Sequence, residues 1–168
     1  MKKTYIAIIV FINVILQISL YNFMSIFGVI PNVILVLVIL FALCTNQVAG
    51  GLIGLLSGLM YDLLIMDVIG INALIYFIVG LVLGTFKEEI NKENIFVYII
   101  ITLAATVFYH FVTSFIMFFL RRDISAVFLI IDKIVIQIFL NVGICLVLQK
   151  FLQFLFGLAG IKLFSNKE

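Results

Sequence analysis

Residues 50–64 read G-G-L-I-G-L-L-S-G-L-M-Y-D-L-L, and the spacing of the small residues in this stretch decides the fold. Gly50, Gly54, Gly58 and Asp62 recur at four-residue steps. On an α-helix such steps drift slowly round the axis, so the four residues form one stripe. Gly51 and Ser57 flank it, and most of the intervening residues are apolar. In lipid there is no hydrophobic drive between helices, and small residues at this spacing let a second backbone approach closely. The stripe therefore predicts either tight packing inside the chain's own bundle or a groove for a partner's helix.

The rest of the chain is equally apolar. Of 168 residues, 66% are hydrophobic and 11% are charged, with a mean hydropathy of +1.41. A soluble domain has about 45–50% apolar and about 25% charged residues. A chain this short cannot hide the difference in a core, because much of its surface stays exposed. The solvent is lipid. Runs of roughly 20 apolar residues suit spanning helices, whereas barrel strands would be about 10 residues long and alternate in polarity. The expected architecture is a single all-α transmembrane domain over 1–168, with about six spans near 4–22, 29–45, 47–66, 70–86, 95–120 and 126–150. Pro31 is expected in the first turn of the second span, where its missing N–H costs nothing. The break Cys44-Thr45-Asn46-Gln47 is short enough to make spans two and three antiparallel neighbours, and the charged stretch 87–94 is the clearest loop. The apolar tail 151–164 is too short to span; it continues the last span or lies at the interface.

Orientation follows from the cations near the span ends. An inward N-terminus places Lys2, Lys3, Lys87, Lys92, Lys150, Lys162 and Lys167 on the inner side and only Arg121 and Arg122 on the outer. Both termini are therefore expected in the cytoplasm. Lys2-Lys3 before an apolar run resembles a signal peptide, but the run lacks a small-x-small cleavage site and reads as a retained first span. With no Trp, any aromatic belt falls to the six tyrosines, and Cys44 and Cys145 read as small buried residues. A net charge of +2 is too small to suggest nucleic acid.

Asp62 lies about one turn from the outer end of its span. A carboxylate in a membrane helix costs perhaps 2.5–3.5 kcal/mol at the centre and less near the edge, so it needs a partner. A structural cap, an ion pair with Arg121 or Arg122, and a contact with His110 all answer that need. Gly80 and Gly84 offer a second small-residue pair, which beside the first stripe predicts a glycine-to-glycine contact. Tyr98, Thr102, Thr106, His110 and Ser114 form a polar stripe on the fifth span. Asn13, Gln17, Gln137 and Asn141 read as interhelical glue, each bond being worth about 0.6 kcal/mol. Lys133 can snorkel outward. No catalytic residues, cofactor site or metal site emerge: the chain has one histidine, and it lacks G-x-x-x-x-G-K-[ST], H-E-x-x-H and C-x-x-C.

The stretch from Pro31 to Gly84 resembles the MreD family of bacterial rod shape-determining membrane proteins. The residues that carry the likeness are Pro31, then G-L-L-S-G-L-M-Y-D-L-L from Gly54 to Leu64, G-I-N-A-L from Gly70 to Leu74, and Gly80 and Gly84. The family often has Asp after that proline; this chain has Asn32. The resemblance implies a non-enzymatic scaffold in the bacterial cytoplasmic membrane, working beside MreC in the cell-elongation machinery. That machinery contains MreB, RodA and its penicillin-binding transpeptidase, and builds lateral peptidoglycan. It also implies a fold similar to the substrate-binding subunits of energy-coupling-factor vitamin transporters.

Such a transporter subunit is the alternative reading. Its coupling module docks on A-x-x-x-A in the first span, but here Ala7 is followed by Phe11. The short outer loops also offer few residues for a vitamin pocket. A small ion or proton carrier would rest on Asp62 and His110 alone. The expectation carried forward is that Gly50, Gly54, Gly58, Gly80 and Gly84 dock the transmembrane helix of MreC, with Asp62 as a polar latch.

Overall fold

The structure is a computed structural model and describes residues 3–23, 28–66, 68–91, 94–120 and 125–158. Six α-helices follow one another: α1 (Lys3–Phe23), α2 (Val33–Cys44), α3 (Gln47–Ile65), α4 (Ile71–Phe86), α5 (Ile95–Phe119) and α6 (Ser125–Leu158). No strand occurs among the described residues. Among the described residues, three helical segments, Gln47–Ile65, Ile95–Phe119 and Lys133–Phe154, are long and apolar enough to cross a membrane. The apolar stretches Ala7–Ser19, Val33–Cys44 and Ile71–Phe86 are shorter.

The bundle is built round α2. Its sequence, V-I-L-V-L-V-I-L-F-A-L-C, has no polar face, and a helix that is apolar all round belongs inside. Residues 33–40 are all buried, six of them completely. All five other helices touch it. Two features of α2 correct the expected 29–45 span. The helix starts at Val33, so Pro31 lies outside it rather than in the first turn, and Asn32 is the N-cap. Its 12 residues reach only about 18 Å, against about 30 Å of hydrocarbon.

The C-terminal end of α2 is closed by the Thr45 N–H, which donates to Phe41 and Ala42 carbonyls. Asn46 then caps α3, its Oδ1 accepting from Ala49 N at 2.9 Å. Two helices end and begin within three residues, which makes α2 and α3 the expected antiparallel pair. α3 and α4 meet backbone to backbone along their glycines. α5 and α6 pack on each other and on α2, and turn large apolar side chains such as Phe96, Phe111, Phe139 and Phe154 outward. α6 runs on through Leu158, so the described part of the 151–164 tail continues the last helix.

Candidate functional site: buried amides and a carboxylate at two helix starts

The glycine stripe is filled by α4 of the same chain. A methyl group placed on Gly50 would lie 2.6 Å from the Gly80 carbonyl oxygen, and one on Gly80 would overlap the Gly50 carbonyl. On Gly54 it would overlap the Tyr76 carbonyl, on Gly58 it would sit 2.6 Å from Ala73 N and Cα, and on Gly84 2.7 Å from Gln47 Cα. Real side chains do not approach backbone this closely, so only glycine fits along the seam. The expected glycine-to-glycine contact is present. The packing expected inside the chain's own bundle is thus what lies along the stripe: α4 covers Gly50, Gly54 and Gly58, and its own Gly80 and Gly84 face the start of α3.

Asp62 stands where the seam ends. α4 begins at Ile71 behind Gly70, which takes the left-handed conformation (φ 104°) and has no side chain to cap the helix. Asp62 supplies the cap from α3. Its Oδ2 accepts from Gly70 N at 2.9 Å and Ala73 N at 3.1 Å, and its Oδ1 accepts from Asn72 Nδ2 at 2.6 Å. All three bonds run to the carboxylate, as its acceptor-only chemistry requires. The helix dipole also favours a negative charge at an N-terminus. Asp62 is fully buried. Of the three partners foreseen for it, the cap is the one observed. His110 bonds instead to Gln137, and Arg121 and Arg122 lie outside the described residues.

The second helix start is that of α2, and it sits deep in the bundle. Thr106 is near the middle of α5 and Asn141 near the middle of α6, and both are linked to Asn32. The Asn32 N–H donates to Asn141 Oδ1 at 2.8 Å, and Asn141 Nδ2 donates to Thr106 Oγ1 at 3.1 Å. Asn32 Oδ1 accepts from Leu35 N at 3.0 Å and from the Tyr76 hydroxyl at 2.9 Å. Non-helical backbone at membrane depth is tolerated only where protein buries it and answers its polar groups. Amides from α1 and α6 do so here. Gln17 Nε2 donates to the Pro31 carbonyl at 3.1 Å, while its Oε1 accepts from Val33 N at 2.7 Å and Ile34 N at 3.3 Å. Gln137 Nε2 donates to the Ile30 carbonyl at 2.9 Å. The amides expected as interhelical glue thus hold the entry to a half-length helix. Asn13, which reaches Ser57 at 3.4 Å, ties α1 to α3.

Of the polar stripe on α5, Tyr98, Thr102 and Thr106 are buried. Thr106 Oγ1 donates to the Thr102 carbonyl at 2.8 Å, the cheap backbone bond expected of a hydroxyl in a membrane helix. The sequence marks Asn32 only as the residue after Pro31, Tyr76 only as a belt tyrosine and Asn72 only as part of G-I-N-A-L, and none of them as a hydrogen-bonding partner between helices. For Asn32 the signal was there: an Asn immediately before an apolar run is an N-cap pattern. Tyr76 and Asn72 had none, since their roles depend on residues of other helices. Among the described residues, no three His, Cys, Asp or Glu side chains gather as metal ligands.

Compared with protein families, residues 2–156 match the family described as rod shape-determining protein MreD. No curated protein and no solved structure matches the chain.

Proposed function

The chain belongs to the MreD family of rod shape-determining proteins, and from that premise we propose that it is a six-span scaffold of the cytoplasmic membrane that docks the transmembrane helix of MreC. The observation that carries this reading is the family match over residues 2–156. Through MreC the scaffold serves MreB, RodA and its transpeptidase in lateral peptidoglycan synthesis. Both termini face the cytoplasm, as the cation asymmetry favours. In this reading the short helices α2 and α4 count as spans because they are completed by neighbouring segments rather than by their own length. The fold is of the kind seen in energy-coupling-factor substrate-binding subunits.

Since α4 covers the glycine stripe, the docking face lies elsewhere. The α4–α5 side offers an apolar crevice of about 270 Å³, lined by residues including Val82, Leu83, Ile101, Ala104 and Phe108. Ala104 and Ala105 are the small residues that close helix approach needs. Asp62 then acts on assembly indirectly, by fixing where α4 starts.

The test is a photocrosslinker placed in turn at Val82, Ile101, Ala104, Phe108, Phe139 and Val147 in growing cells, with MreC detected by antibody. Adducts at the α4–α5 positions and none at the α6 positions are expected. MreC adducts confined to α6, or none at any position, would overturn the assignment of this face.

A further inference from the structure

The bundle does not present the same apolar height to lipid all round. On α3 the exposed residues from Val48 to Leu64 are all apolar, and the two residues before them, Asn46 and Gln47, are polar and exposed. Carried on to Met66, where the helix is capped, this strip is about 27 Å tall. On α5 every exposed residue from Ile95 to Leu120 is apolar, a strip of about 37 Å. The hydrocarbon of a typical bilayer is about 30 Å thick. One face is too short for it and the other too long.

The two helices lie alongside each other, so their ends can be compared. Met66 and Met117 line one crevice, which sets the C-terminal ends of α3 and α5 at nearly the same level. At the opposite end, Gln47 packs against Gly84 so closely that a methyl group there would lie 2.7 Å from its Cα. Leu83, next to Gly84, shares the α4–α5 crevice with Ile101. The polar start of α3 thus stands level with Ile101, and α5 continues apolar for about 9 Å beyond it, to Ile95. Tilting cannot satisfy both faces. An inclination of about 36° brings α5 to the bilayer thickness but shortens α3 to about 22 Å.

Lipid, rather than another helix, suits the short face. Close helix contacts in membranes use small residues. Those of α3, Gly50, Gly54 and Gly58, are turned towards α4, and its exposed apolar residues are all Val or Leu. We propose that the protein sorts phospholipids by acyl length, holding short-chain lipids against α3 and long-chain lipids against α5. Chains of matching length relieve a mismatch that is otherwise met by deforming the bilayer. The resulting step in membrane thickness is present whether or not MreC docks at the α4–α5 crevice.

The chain has no Trp, so one introduced indole reports on one face. Leu56→Trp places it near the middle of the α3 strip and Val107→Trp near the middle of the α5 strip, both at exposed positions. Each full-length variant is reconstituted into bilayers that mix brominated dioleoyl phosphatidylcholine with either dimyristoleoyl or dierucoyl phosphatidylcholine. Quenching then gives the relative affinity of that face for the shorter and the longer chain. Leu56→Trp should favour the shorter lipid by roughly threefold, and Val107→Trp should favour the longer to a similar extent, as several Å of mismatch give. Leu59→Trp and Leu103→Trp, also at exposed positions, repeat the comparison. Phe96→Asp combined with Ile100→Asp ends the α5 strip near Leu103, and an acidic residue near a helix N-terminus suits its dipole. In that background Val107→Trp should shift towards the shorter lipid while Leu56→Trp stays as it was. The same preference at both faces, a reversed one, or no shift in the aspartate variant would overturn the proposal. Absence of quenching in Leu56→Trp, which would put a second copy of the chain on that face in place of lipid, would do the same.

Discussion

One methyl group distinguishes the glycines of this chain from one another. At Gly54 it would run into the Tyr76 carbonyl, which belongs to the backbone of a packed helix and cannot swing aside, whereas at Gly143 on α6 it meets nothing within 4 Å. Gly54→Ala should therefore destabilise the protein by about 3 kcal/mol, the upper part of the usual overpacking range. Gly143→Ala should be neutral or gain up to about 1 kcal/mol from helix propensity. Unfolding in detergent, followed by helical circular dichroism, gives both values. Equal stabilities would mean that α3 and α4 do not meet as described. Asp62 carries the other residue-level prediction. Asp62→Ala removes the cap of α4 and leaves two backbone N–H groups and Asn72 without an acceptor, so it should cost about 2 kcal/mol or more by the same measurement. The spacing of Gly50, Gly54, Gly58 and Asp62 was legible in the sequence, and so was a cap as one answer for the carboxylate. Gly80 and Gly84 also pointed to α4 as a helix that meets the stripe; how much of the stripe α4 takes was not legible, because small residues record that something comes close and not how far it runs.

At the scale of the element, α2 is the helix whose reading changed most. A continuous apolar run from Val33 looks like a span, and Pro31 ahead of it looks like a first-turn proline. Where the helix starts is settled instead by Gln17, Gln137 and Asn141, which come from helices far away in sequence and answer the backbone of residues 30–34. Gln17→Leu should strand the Val33 and Ile34 N–H groups and the Pro31 carbonyl, lowering stability by roughly 1–3 kcal/mol. Asn32→Asp should keep the cap, although the added buried charge itself costs stability, because the two bonds made by the Asn32 side-chain oxygen, from Leu35 N and from the Tyr76 hydroxyl, are both accepted ones. A carboxylate accepts both equally well. Asn32→Leu, which can accept neither, is the contrasting variant, and hydrogen exchange at the Leu35 amide reads the loss of the cap directly. Rapid exchange in Asn32→Asp as well as in Asn32→Leu would show that the cap is not what fixes the start of α2.

Taken as a whole, the molecule is a bundle with its polarity turned inward. Amides and hydroxyls tie the helices to a central half-length helix and one carboxylate ties α3 to α4, while Phe and Leu side chains cover the outside. That distribution was readable from composition, which pointed to lipid as solvent. The helix count and the family likeness were also readable, and the family match runs well beyond the Pro31–Gly84 stretch that first suggested it. The partner is a proposal of a different kind, since an apolar outer face does not name what covers it. Affinity purification of the tagged protein from its own membranes in mild detergent, with co-purifying proteins identified by mass, tests the scaffold reading most directly. The account predicts recovery of MreC, with or without RodA and its transpeptidase. Recovery of paired transporter ATPases and their membrane coupling subunit, with MreC absent, would contradict it.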